Sequence, residues 1–292
     1  MQRARPRSLA SAALVAVLAA AGCRPAAGSP AAPGVGLDEP GPRAAAGTAL
    51  PAPAAAGTTT RLTVRVIARG GKFLGDDIGG ARVTVKEVAT GAILARGTVA
   101  GGSGDTAAIM AGARRRATPV PTTGASAFEA ELAVSEPTEV EITAEGPSGG
   151  LQSSARVSGT YWLVPGHDMT EGDGVLLELP GLLVQVMEPA THTALASLPQ
   201  AVRFEANVAM MCGCPIAEAG PWPASDFAVV ATIRRGGGEV ATVPLTFTGR
   251  TSHFAGEWTV ADPGFYTADV TAAQHGTTNT GAGRVTFFAA PP

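Results

Sequence analysis

The sequence predicts an all-β chain built as two tandem β-sandwiches, and three observations carry that expectation. Beyond residue 60 apolar and polar residues alternate with a period of two, which places one face of a half-buried strand in a core. The alternating runs are short and stop at turn residues, in a chain of 292 residues that holds 38 Gly and 23 Pro. Aromatic residues make up only 5% of the chain, too few for one large aromatic-rich core, while the length suffices for two ordinary domains. The formal net charge of −3 argues against nucleic acid as a partner, since a general binder of phosphate backbones carries a basic surplus.

Residues 1–22 read as an export signal. Arg3, Arg5 and Arg7 form its positive start, and Leu9 to Ala20 form an apolar run too short to span a bilayer. Ala21 and Gly22 then precede Cys23. Small residues followed by Cys resemble the lipobox of bacterial lipoproteins, although Ala20 stands where that family usually has Leu. The resemblance implies that the Cys23 thiol is acylated and becomes the first residue of the mature chain. An ordinary secretory signal cut near Ala21 is the alternative. Both place the mature protein outside the cytoplasm, facing the periplasm or the cell exterior, and lipidation adds a membrane anchor. Residues 23–60, dominated by Ala, Pro and Gly, bury too little apolar surface to offset ordering entropy and read as a disordered tether.

The first sandwich is expected over residues 61–180. Leu62, Val64, Val66 and Ala68 alternate with Thr63, Arg65 and Arg69, and the pattern returns at 81–85, 128–134 and 140–144. The segments Gly79 to Val85 and Ala89 to Ala95 resemble the repeat of carboxypeptidase-regulatory-like and related bacterial immunoglobulin-like domains, a likeness of composition that implies a fold. Between Gly101 and Ala127 alternation lapses, and Arg114, Arg115 and Arg116 read as a solvated basic tip. His167, Asp168, Met169, Glu171 and Asp173 lack the regular spacing of a calcium loop and read as a solvated linker.

The second sandwich is expected over residues 181–292. Seven strands are placed at 183–187, 201–210, 227–233, 240–247, 254–260, 265–272 and 285–288, the number expected of an immunoglobulin-like sandwich. Val202, Phe204, Ala206, Val208 and Met210 share one face. The run from Pro263 to Val270 resembles the penultimate strand of immunoglobulin-like domains, which implies that Tyr266 anchors a corner. Trp258 falls in the core with Phe254 and Val260.

One motif could carry chemistry. With Cys23 assigned to lipid, the remaining cysteines are Cys212 and Cys214 in Met210-Met211-Cys212-Gly213-Cys214-Pro215. Gly213 lets both sulfurs aim the same way, and Pro215 ends the strand. Two thiolates beside thioethers suit a soft metal, copper(I) above all, with Cys212, Cys214, Met211 and Met210 as candidate ligands and His253 as the outward-facing imidazole. Met187 and His192 could approach from the neighbouring segment. Met211 is expected to point outward. A local Cys212–Cys214 disulfide is the competing structural reading, favoured by export, and a redox-active dithiol is a third. No Gly-x-Ser-x-Gly, His-Glu-x-x-His, phosphate-binding loop or dinucleotide fingerprint is present, so no enzyme class is indicated. The expectation is a non-catalytic lipoprotein of the cell envelope that binds or assembles with a protein partner there.

Overall fold

A computed structural model describes residues 57–111 and 118–290. The signal at 1–22, Cys23, most of the tether and Arg114 to Arg116 lie outside the described residues. Among the described residues, eight strands form the first half: β1 (Thr58–Ala68), β2 (Arg82–Glu87), β3 (Ile93–Thr98), β4 (Ala100–Ser103), β5 (Ala125–Val134), β6 (Thr138–Gly146), β7 (Ala155–Leu163) and β8 (Val175–Leu179). They make two four-stranded sheets, ordered β4-β5-β1-β8 and β3-β2-β6-β7. Leu62, Val64 and Val66 of β1 and Phe128 and Leu132 of β5 are buried together with Val83, Val85, Val140 and Ile142 of the second sheet.

Three expectations change here. β1 begins at Thr58, inside the expected tether, because Thr58 to Thr60 continue the antiparallel ladder to Val134, Ala133 and Leu132. The 101–127 stretch holds β4 and a five-residue helix, Thr106–Met110, whose first turn is capped by Asp105 accepting a bond from Ala108 N–H. The 167–173 segment is tied down: Met169 exchanges backbone bonds with Arg61 and Thr63, Asp168 pairs with the Arg61 guanidinium at 2.6 Å, and Asp173 accepts from Val120 N–H. Strand β7 is an addition to the expected strands; it turns Ala155, Val157, Gly159, Tyr161 and Leu163 inward.

Another eight strands form the second half: β9 (Leu182–Glu188), β10 (Thr193–Leu195), β11 (Gln200–Met210), β12 (Phe227–Arg235), β13 (Gly238–Phe247), β14 (His253–Val260), β15 (Gly264–Gln274) and β16 (Thr280–Ala289). Their order is β10-β16-β15-β12-β13-β14-β11-β9. Strand β13 pairs along most of its length with β12 and then through Thr246 and Phe247 with β14, so the ladder folds over into two layers. Phe204 of β11 meets Phe287 of β16 edge-on with centroids 5.9 Å apart, and Phe287 stacks on Tyr266 at 5.1 Å. The Tyr266 hydroxyl donates to the Asp262 carbonyl at 2.7 Å, which fixes the corner entering β15. Trp258 packs edge-on against Tyr266, as its place in the alternation requires. The protein is thus all-β, two immunoglobulin-like β-sandwiches in tandem. Only Pro180 and Gly181 separate β8 from β9, and buried residues continue across the link from Leu179 to Leu182, Met210 and Met211. No helix among the described residues is long and apolar enough to cross a membrane.

Candidate functional site: the disulfide hairpin at the junction

Strand β11 ends in a tight hairpin. Gly213 N–H donates to the Met210 carbonyl at 2.8 Å, and Met210 N–H donates to the Cys214 carbonyl at 3.1 Å. This closes a three-residue loop whose last member must take a left-handed conformation, and Gly213 does so at φ 73°. The reversal turns Cys214 back alongside Cys212, and the two sulfurs are bonded as a disulfide across a Cα separation of 5.3 Å.

The hairpin is an internal wedge. Cys212 is 1% exposed and Cys214 5%, so the pair lies out of reach of bulk solvent. Opposite stands the loop that follows β1, where Gly71 N–H donates to the Ala68 carbonyl and Gly70 takes φ 64°. A methyl built on Gly71 would lie 3.0 Å from Cys212 Sγ, so a larger residue here would press on the sulfur. Lys72 N–H points to the same sulfur at 3.4 Å, and Ile78 packs over Gly213.

Further groups stitch the two sandwiches around this wedge. Trp222, buried between Pro221 and Pro223 in sequence, donates its indole N–H to the Gly70 carbonyl at 2.9 Å. Asn279, 1% exposed, donates to the Arg69 carbonyl and accepts from Gly181 N–H, each at 3.0 Å. Arg69 reaches Thr278 Oγ1 at 2.7 Å, and Ser153 Oγ bonds both backbone groups of Val184. Each sandwich therefore satisfies buried backbone groups of the other, which a chance contact of two domains does not do.

Of the candidate copper ligands, Cys212 and Cys214 are bonded to each other. Met210 lies in the core face of β11, as the alternation requires, with its methyl near Gly70. Met211, expected to point outward, is instead 1% exposed, its methyl wedged 2.8 Å from where a Cβ of Gly181 would sit. The hairpin's reversal carries that side chain under the β8–β9 link. His253 faces away to the outer side of its sheet, where Nδ1 meets Glu205 Oε1 at 2.6 Å and Nε2 meets Arg250 Nη2 at 3.2 Å. Met187 sits five residues beyond Leu182, the β9 partner of Met210, about 17 Å along the strand. His192 occupies a left-handed turn position beside β16, its N–H donating to Thr286. Among the described residues no group of three or more His, Cys, Asp or Glu converges as a metal cage.

Glu205 is a buried carboxylate, and the Arg203 guanidinium and then the His253 ring hold it below the usual carboxylate range. Sequence reasoning missed Trp222, Asn279 and the Gly70-Gly71 pair. The only signals for them were the Pro-Trp-Pro run and two adjacent glycines closing a strongly apolar strand.

No known protein-family model matches this chain, and no curated protein does. Similar solved structures include an engineered protein at 19% identity and TM-score 0.29, covering 44% of this chain and 24% of that one. The fibronectin(III)-like modules of CbhA from Clostridium thermocellum are similar at 8% identity and TM-score 0.25, with 80% of this chain and 94% of that one covered. Titin-A168169 is similar at 13% identity and TM-score 0.22, with coverages of 81% and 92%.

Proposed function

We propose that this protein is a non-catalytic binding or assembly module of the cell envelope, anchored by lipid at Cys23 and presenting two immunoglobulin-like sandwiches as one rigid body at the end of an Ala/Pro/Gly tether. The observation that carries the reading is the buried Cys212–Cys214 hairpin seated against Gly71 and Lys72 of the other sandwich. A module that holds a partner at a fixed spacing gains from such a joint, because no ordering entropy is spent on the joint when the partner binds. The disulfide suits an exported protein and adds rigidity where the polar stitching converges.

Backbone 15N relaxation on the full chain tests the rigid joint. Amides of 58–179 and 182–289 should report a single rotational diffusion tensor, and two independent tensors would overturn the reading. Thiol alkylation in denaturant without reductant, followed by intact mass, together with metal analysis of the native protein, separates this role from the copper-holding one. Neither Cys212 nor Cys214 should be alkylated; two free thiols with copper(I) bound in stoichiometric amount would transfer the site to metal.

A further inference from the structure

The outer face of the β12-β15-β16 layer carries a second feature, remote from the junction hairpin. Phe265 is 82% exposed, the most exposed large apolar side chain among the described residues, and its ring rests tilted on Phe288 with centroids 5.8 Å apart. Register places Phe265 opposite Phe288, Thr267 opposite Thr286 and Arg234, and Asp269 opposite Arg284, so these side chains rise from one face. Phe265, Thr267, Asp269, Arg234 and Arg284, with Gly236 and Gly237, line an open cleft of about 380 Å3. Both glycines have positive φ in the β12–β13 turn, and a Cβ on either would meet nothing within 4 Å. The wall beside Phe265 is therefore bare backbone.

The charges in the cleft are arranged. Asp269 takes Arg284 Nε on Oδ1 at 2.5 Å and Arg234 on Oδ2, so one carboxylate orients two guanidinium groups. The cleft keeps a surplus positive charge, and the Arg284 side chain stays 70% exposed. A guanidinium bound through Nε has its terminal N–H pairs left for a planar anion. Strand β15 is hydrogen-bonded on both edges, by β12 and β16, so a peptide cannot add as a strand here.

We propose that this cleft binds an acidic sugar, a pyranose carrying a carboxylate, with the apolar face of the ring on Phe265, the carboxylate on Arg284 and Arg234, and hydroxyls on Thr267 and the Gly236–Gly237 backbone. The cavity is at the small end of ligand clefts and fits one or two sugar rings. Phe265 supplies area, Arg284 supplies charge, and neither alone explains why both rim one open space.

Calorimetric titration of the full-length chain with methyl glucuronide, methyl glucoside and sodium acetate tests this. The glucuronide should bind at least about tenfold more tightly than the neutral glucoside or acetate, since a charge-assisted bidentate pair is worth that factor or more. Phe265→Ala and Arg284→Gln should each weaken glucuronide binding by about tenfold or more. Both positions are exposed, so the fold survives either change. A glucuronate-containing oligosaccharide that binds more tightly than the single sugar assigns the ligand to a polymer, and equal binding assigns it to a free acid. Equal affinity for the glucoside, saturation by acetate alone, or unchanged binding by Phe265→Ala would overturn the proposal. So would self-association abolished by Phe265→Ala, which gives the face to a second copy.

Discussion

Replacing both cysteines of the hairpin with alanine, Cys212→Ala/Cys214→Ala, measures what the joint is worth. The disulfide closes a loop of three residues, for which the chain-entropy relation gives about 1.6 kcal/mol at 25 °C. Both sulfurs are buried, and losing two groups each about the size of a methylene removes roughly another 1.6 kcal/mol of burial. The space left against Gly71 does not fill, because that residue has no side chain to move into it, so a cavity cost adds to the total. The expected loss is about 3 kcal/mol. Urea unfolding of the full chain followed by tryptophan fluorescence should show it as a midpoint lowered by about 1–1.5 M at an unchanged slope of roughly 2–3 kcal/mol/M. Trp222, bonded to Gly70 beside the hairpin, places one reporter at the site. A loss under about 1 kcal/mol would refute the reasoning, because the bond would then constrain nothing that folding needs.

Other outcomes follow from the same geometry. Gly71→Ala should cost about 1–2 kcal/mol by crowding Cys212 Sγ at 3.0 Å and Ala68 at 3.1 Å, and chemical denaturation should find at least half of that cost gone in the Cys212→Ala/Cys214→Ala background. Glu205 is held below its ordinary value of 4.5 by Arg203 and His253, so it adds stability above that pH and the gain is lost as pH falls through the depressed folded value. Thermal melts between pH 6 and 2 should therefore show a flatter acid limb for Glu205→Gln than for the parent. Cys23→Ala should move the chain from the membrane fraction to the soluble one on cell fractionation, and continued membrane association would refute lipid anchoring.

How much was legible in the sequence follows from what each position asks of its residue. Alternation exposed β1, β6 and β11 because one face of each is filled by large apolar side chains, such as Val64, Ile142 and Phe204. In β7 the alternation is present but muted, since Gly159 interrupts the inward face of Ala155, Val157, Tyr161 and Leu163 and Trp162 stands on the outer one. Cys212-Gly213-Cys214 was legible as a motif, because three cysteines in such a chain leave few pairings. Its role was not, because that depends on Gly71 and Lys72, about 140 residues earlier, and nothing local in either segment refers to the other. Asn279 is the extreme case: an ordinary turn residue by sequence, it is a buried bridge because the β1 loop and the Pro180–Gly181 link fold onto it. The Phe265 cleft was not legible because its residues come from three strands and a turn, brought side by side only by the β12-β15-β16 register.

Differential scanning calorimetry of the full, oxidised chain reads whether the joint couples the two sandwiches in unfolding. Two sandwiches that share buried residues across Leu179–Leu182 and satisfy each other's backbone at Gly70, Arg69 and Val184 must unfold together. One transition is expected, with calorimetric and van't Hoff enthalpies that agree. Two resolved transitions, one for each sandwich, would contradict it.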